Sequence, residues 1–244
     1  MAPVVKICGL TRPGDVAAAA RAGAWALGFV FAESRRRTSP EQVRQLLAQA
    51  GLEWPAARPL IVGVFGEASP EEVVSVARVV GLDGVQLHGR AGPTALEVRE
   101  ALESSAGWEG SAGGEPVGGG LRPGSLLIIR AVPVDPDEES ESELSRRMAE
   151  AEEGADLLLL DTSCRGRFGG TGQTFPWELA RRAAGKRRFL IAGGVTPENA
   201  AQALRQSGAW GVDVSGGVET DSGTKDEQLI RDLIAAVRME GQTG

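Results

Sequence analysis

The sequence predicts an α/β protein built as a single (β/α)8 TIM barrel, one domain over residues 1–244, and three observations carry that prediction. Eight short runs rich in Val, Ile, Leu and Phe are apolar on both alternating positions, as strands covered on both faces should be. Helical patterns separate these runs, and the alternation never breaks from end to end. The eighth run is followed by a terminal helix, which favours closure over the runner-up, a doubly wound open sheet. A chain of 244 residues, 42% of them hydrophobic, can fill such a core.

The first predicted strand is Val4–Cys8, and the helix pattern "TRPGDVAAAARAG" follows it. The second spans Ala24–Phe31 and leads to "TSPEQVRQLLAQA"; the third, Leu60–Phe65, leads to "SPEEVVSVARVV". After the fourth strand, Gly84–Leu87, and its helix comes "SSAGWEGSAGGEPVGGGLRPGS", about residues 104–125, whose Gly, Ser and Pro content reads as a flexible loop. It joins a helix to a strand, so it belongs on the N-terminal face, away from the chemistry. The fifth strand, Leu126–Ala131, precedes the acidic run "DPDEESESEL", read as the solvated start of the fifth helix. The sixth strand is Leu157–Asp161. The seventh, Phe189–Ala192, precedes "TPENAAQALRQSG", and the eighth, Gly211–Val214, precedes "DEQLIRDLIAAVRM". Ser or Thr before Pro and an acidic residue is an N-cap with proline at N1 and a carboxylate on the helix dipole.

Composition excludes several classes of function. A net charge of -7 argues against general nucleic-acid binding, because a phosphate backbone rewards a basic surface. No stretch approaches the roughly 18 consecutive apolar residues of a membrane helix, and "MAPVVKICGL" lacks the features of a signal peptide. Two cysteines without CxxC spacing suggest neither a disulfide scaffold nor a zinc site, and a single histidine excludes a histidine-rich metal centre. The expectation is a cytoplasmic, metal-free protein.

In a barrel, functional residues cluster just after the strands. Gly193 and Gly194 follow the seventh strand, and Ser215, Gly216 and Gly217 follow the eighth. That is the usual phosphate position of this fold, although such glycines can also merely turn corners. Arg35, Arg36 and Arg37 form the densest basic cluster; one is expected to point inward and offer a fork to a carboxylate. Asp161 closes "LLLLD", where partial desolvation would raise its pKa and let it donate a proton. Cys8 ends the first strand. A cysteine there is commonly a small core residue, but opposite an acid it could act as a base if nearby cations lowered its pKa. Lys6 points to the same side, one pleat deeper.

The motifs "KICGLT", "GFVF" followed by "SRRRTSPEQ", "VGVF", "GVQLHG", "LLLLDT", "GGTGQTFPW", "AGGVTPENA" and "VDVSGGVE" resemble those of the phosphoribosylanthranilate isomerase family over nearly the whole chain. The resemblance implies a cofactor-free Amadori rearrangement of a small phosphorylated substrate in tryptophan biosynthesis, by a monomer or homodimer. It implies that Asp161 is the general acid and Cys8 the general base. Arg36 matches the arginine that holds the anthranilate carboxylate. Gly193, Gly194, Ser215 and Gly216 match the phosphate grip, and Asp213 an aspartate near the sugar hydroxyls. His88 is read as shaping the pocket. Departures are Arg37 in place of an aromatic, Pro176 in place of an acid, Gly216 in place of a second serine, and the glycine-rich insertion. Cys164 is read as an incidental loop thiol. The related isomerase of histidine biosynthesis carries an aspartate where Cys8 stands, and a barrel that only binds a phosphorylated metabolite would not need both Cys8 and Asp161.

Overall fold

A computed structural model describes residues 2–51, 58–89, 91–105, 125–135, 140–162, 175–221 and 223–243. The glycine-rich stretch apart from Ser104, Ser105 and Ser125, together with Cys164 and most of "GGTGQTFPW", lies outside them.

Eight parallel strands close into a barrel in the order β1-β2-β3-β4-β5-β6-β7-β8. They are β1 (Val4–Cys8), β2 (Ala26–Val30), β3 (Leu60–Phe65), β4 (Gly84–Leu87), β5 (Leu127–Val134), β6 (Leu157–Thr162), β7 (Phe189–Ala192) and β8 (Gly211–Val214). The helices between them are α1 (Pro13–Ala22), α2 (Pro40–Gln49), α3 (Pro70–Val80), α4 (Ala95–Ser104), α5 (Glu141–Ala151), α6 (Trp177–Ala184) and α7 (Ala200–Ser207), with α8 (Glu227–Thr243) at the end. The predicted closed barrel is thus the observed one, and the open sheet is not. No described helix is long and apolar enough to cross a membrane.

Capping explains most helix starts. Ser39 accepts from the Gln42 N–H while Gln42 answers to the Ser39 backbone, and Thr94 and Glu97 do the same for α4. Ser69 caps α3 with Pro70 at N1. "TPENA" departs from expectation: α7 begins only at Ala200, because Asn199 Oδ1 accepts the Thr196 N–H and holds the preceding residues in a separate turn. β5 runs three residues past its predicted end, since its pairing with β6 continues to Val134 opposite Thr162. A further short pair, β9 (Glu219–Asp221) and β10 (Thr224–Lys225), lies between β8 and α8 and was not anticipated.

Two apolar layers result. The larger packs the outer strand faces against the helices, and the smaller fills the barrel interior with Ala26, Val62, Ile129, Leu159 and Leu190 among others. The interior layer leaves room for β1's inward side chains only because β2 carries glycine opposite Cys8. A Cβ on Gly28 would lie 2.9 Å from Cys8 Sγ, 3.0 Å from Cys8 Cα and 3.2 Å from Lys6 Nζ. Gly28→Ala is therefore expected to destabilise the barrel by about 1–3 kcal/mol through overpacking. Urea unfolding measures this, and an unchanged unfolding free energy would show that the interior layer is loose.

Candidate active site

The inward side chains at the C-terminal ends of the strands form a polar cluster above the apolar interior. Lys6 has no exposed side-chain surface, and its ammonium contacts both oxygens of Asp213 at 3.0 Å. The β1–β8 register sets these two residues side by side across the closing pair of strands. Burial by itself pulls the Lys6 ammonium down, but Asp213 and Cys8 hold it above its usual value.

Cys8 is a free, buried thiol at 8% exposure. The cation expected beside it is present, yet the expected direction of its pKa is not. Burial pushes the thiol up, Lys6 and Lys225 pull it back, and Asp213 pushes it up again; the net result lies above the ordinary thiol value. Lys6 is largely neutralised by Asp213, so desolvation wins.

Asp161 keeps 21% of its side-chain surface exposed. Burial raises its carboxyl to about 7, Asp213 adds to the rise, and Lys6 and the Thr162 N–H oppose it. This is the shift anticipated from "LLLLD". Lys6 and Asp213 act on both Cys8 and Asp161, so the thiol and the carboxyl border one electrostatic cluster. His88 Nε2 lies 3.7 Å from Asp161 Oδ2. Burial, with Lys6 and Arg130, lowers the imidazole to about 4, so it is neutral near pH 7 and the contact is not an ion pair.

Of the three arginines, Arg36 points inward at 7% exposure, while Arg35 and Arg37 are exposed. Its Nε and Nη2 each donate to Glu219 at 2.7 Å. Glu219 also accepts from Lys225 Nζ at 2.7 Å, and the same ammonium donates to Ser215 O at 3.0 Å and Ser215 Oγ at 3.2 Å. Burial opposes ionisation of Glu219, but Arg36 and Lys225 bring it down to about 2. Glu219 and Lys225 were missed in the sequence because each looks like an ordinary surface charge in a polar loop. Lys225 could have been suspected only from its place beyond the glycines of β8.

The loop after β7 is set by its own packing. A Cβ on Gly193, which has a φ of +82°, would lie 2.6 Å from Thr162 Cβ, so glycine is required there whether or not a ligand binds. Asn199 Nδ2 donates to Gly194 O at 2.9 Å and ties this loop to the start of α7. Gly194, Ser215 and Gly216 lie on the same face, with Arg36 Nη2 3.8 Å from where a Gly216 Cβ would stand. Among the described residues, no group of three or more His, Cys, Asp or Glu is placed to hold a metal ion.

The Asp161 carboxyl is easier to protonate in the fold than in the unfolded chain. Its contribution to stability is fully present below the ordinary carboxyl value of 3.8 and is lost as pH rises through about 7. Asp161→Asn removes that loss, and the gain over the parent protein should be about 2 kcal/mol larger at about pH 8.5 than at about pH 5. Urea unfolding of both proteins at the two pH values tests this; an equal difference at both would mean that the carboxyl titrates normally.

The family of N-(5'-phosphoribosyl)anthranilate (PRA) isomerases matches residues 5–107 and 123–236. An N-(5'-phosphoribosyl)anthranilate isomerase of Rubrobacter xylanophilus is 40% identical over 235 residues, covering 96% of this chain and 98% of that one. A crystal structure of monomers of the dimeric enzyme of Thermotoga maritima superposes with a TM-score of 0.71 at 30% identity, over 97% of this chain and 99% of that one. A phosphoribosylanthranilate isomerase in complex with reduced 1-(o-carboxyphenylamino)-1-deoxyribulose 5-phosphate gives 0.70 at 30% identity, with the same coverage. The chain belongs to the N-(5'-phosphoribosyl)anthranilate isomerase family.

Proposed function

We propose that Cys8 and Asp161 divide the proton transfers by which this isomerase converts N-(5'-phosphoribosyl)anthranilate to 1-(2-carboxyphenylamino)-1-deoxyribulose 5-phosphate. The carrying observation is that a carboxyl raised to about 7 and a buried thiol border the same Lys6–Asp213 pair. A carboxyl near 7 keeps its proton in part at neutral pH and can give it to a ring oxygen.

Asp161 protonates the furanose oxygen, the C1–O bond breaks, and the nitrogen lone pair forms the C1=N iminium. Cys8 then takes the C2 proton, and those electrons make the C1=C2 bond while the iminium collapses to the amine. The enolamine loses its hydroxyl proton and gains one at C1, giving the ketone. The proton on Cys8 returns to Asp161 through solvent, which closes the cycle without a cofactor. The iminium is a positive charge formed beside the thiol, and it favours the thiolate at the moment the base is needed. Arg36 holds the anthranilate carboxylate, Asp213 faces the sugar hydroxyls, and Gly193, Gly194, Ser215 and Gly216 take the phosphate.

This reading places the chain in the cytoplasm, in tryptophan biosynthesis, as a monomer or homodimer. Residues 1–244 are read as one barrel domain.

Cys8→Ser and Asp161→Asn should each lower kcat by about 10²–10⁴-fold while a reduced product analogue still binds. The decay of phosphoribosylanthranilate fluorescence measures turnover, and a near-normal rate in Cys8→Ser would return that residue to the core. The productive form pairs protonated Asp161 with Cys8 thiolate. Its population rises to about pH 7, holds level while the two titrations cancel, and falls only above the ordinary thiol value of 9.0. A kcat/KM profile that instead declines from pH 7 upward would contradict this assignment.

A further inference from the structure

We propose that Glu219 is a positioning residue that sets the preference for a carboxylated substrate, by clamping one edge of the Arg36 guanidinium so that the other edge faces the ligand. The proposal deepens the reading of Arg36 given above and rests on it.

A guanidinium carries five N–H donors in one plane. Glu219 occupies the edge formed by Nε and Nη2, with both contacts at 2.7 Å. The two side chains are nearly sealed from water, at 8% exposure for Arg36 and 5% for Glu219. Nη1 makes no hydrogen bond among the described residues. The remaining Nη2 donor and Nη1 form a second parallel fork, and a planar carboxylate matches it bidentately where a single point charge would not. The arginine cannot simply swing away. Its Cδ lies 2.4 Å from where a Cβ on Gly9 would stand, so the side chain is threaded closely past the turn that follows Cys8.

Lys225 explains why Glu219 stays in place. Its side chain has no exposed surface, and its ammonium spends all three donors on Ser215 O, Ser215 Oγ and Glu219 Oε1. Its backbone N–H is fixed by Asp15 of α1, and Arg35 approaches Glu219 only from the surface, at 3.9 Å. Lys225 is therefore saturated and unavailable to a ligand. In this cluster the open donors belong to Arg36. The network also joins the proposed carboxylate grip to Ser215 of the proposed phosphate loop through two buried side chains.

The test compares two ligands, the reduced carboxyphenylamino-deoxyribulose 5-phosphate and its phenylamino counterpart without the carboxylate, by calorimetric titration. The parent protein should prefer the carboxylated ligand, and Arg36→Ala should abolish the preference. Glu219→Gln should reduce the preference about tenfold while changing affinity for the phenylamino ligand less than about twofold. Glu219→Asp, which keeps the charge, should recover part of the preference, and it carries the same comparison if Glu219→Gln does not fold. Equal weakening of both ligands by the Glu219 variants would make the residue a loop brace and overturn the proposal. Retention of the preference in Arg36→Ala would instead overturn the assignment of Arg36, and the proposal with it.

Discussion

Lys6 sits inside the barrel mouth with no exposed side-chain surface, and only Asp213, on the strand that closes the barrel against β1, makes that tolerable. An ammonium left alone in such a place costs several kcal/mol, so the pair exists only when β1 and β8 are joined. Because the pair is close to neutral, it exerts little net field on the groups beside it. Burial therefore decides the protonation of Cys8 and Asp161, and both are held above their ordinary values. Near pH 7 the mouth thus holds an un-ionised thiol and a partly protonated carboxyl around one buried ion pair, and a charge arriving with a ligand can alter that balance.

The second polar network is built on another basis. Glu219 is ionised under almost all conditions, at about 2, because two buried cations donate to it. It is a fixed anchor, whereas Asp161 is poised to titrate. The two carboxylates differ not in chemistry but in surroundings: hydrogen-bonded cations for one, apolar burial for the other. Glycine makes both networks sterically possible. Gly28 leaves the volume that Cys8 and Lys6 occupy, and Gly9 leaves the passage through which Arg36 reaches Glu219.

Much of the architecture is legible in the sequence. β1, β3, β4, β7 and β8 begin and end at the predicted residues, because a strand covered on both faces is a bare apolar run with polar or glycine flanks. The starts of α2 and α3 are legible because proline and a capping serine act within one turn. The start of α7 was misplaced, since the side chain of Asn199 turns back to Thr196 and Gly194, an arrangement that "TPENA" shares with a normal cap. Of the mouth residues, Cys8 and Asp161 are visible because each was read at the end of a strand, the arginine triplet because it follows one, whereas Arg36 among the three and Asp213 inside β8 were marked only by the family resemblance. Glu219 and Lys225 are not visible, since the Arg36 guanidinium that Glu219 holds lies 183 residues away along the chain.

The sequence by itself determined the repeating strand and helix pattern, the glycine-lined ends of β7 and β8, and the choice of a thiol and a carboxyl for the mouth. These follow from local periodicity and residue chemistry, which act over a few positions. The tertiary structure alone decided that Lys6 would be spent on Asp213, that Cys8 would rest as a thiol despite a neighbouring cation, and which arginine would turn inward against Glu219. Those outcomes depend on desolvation and on charges brought together by barrel closure, and neither exists until distant strands meet.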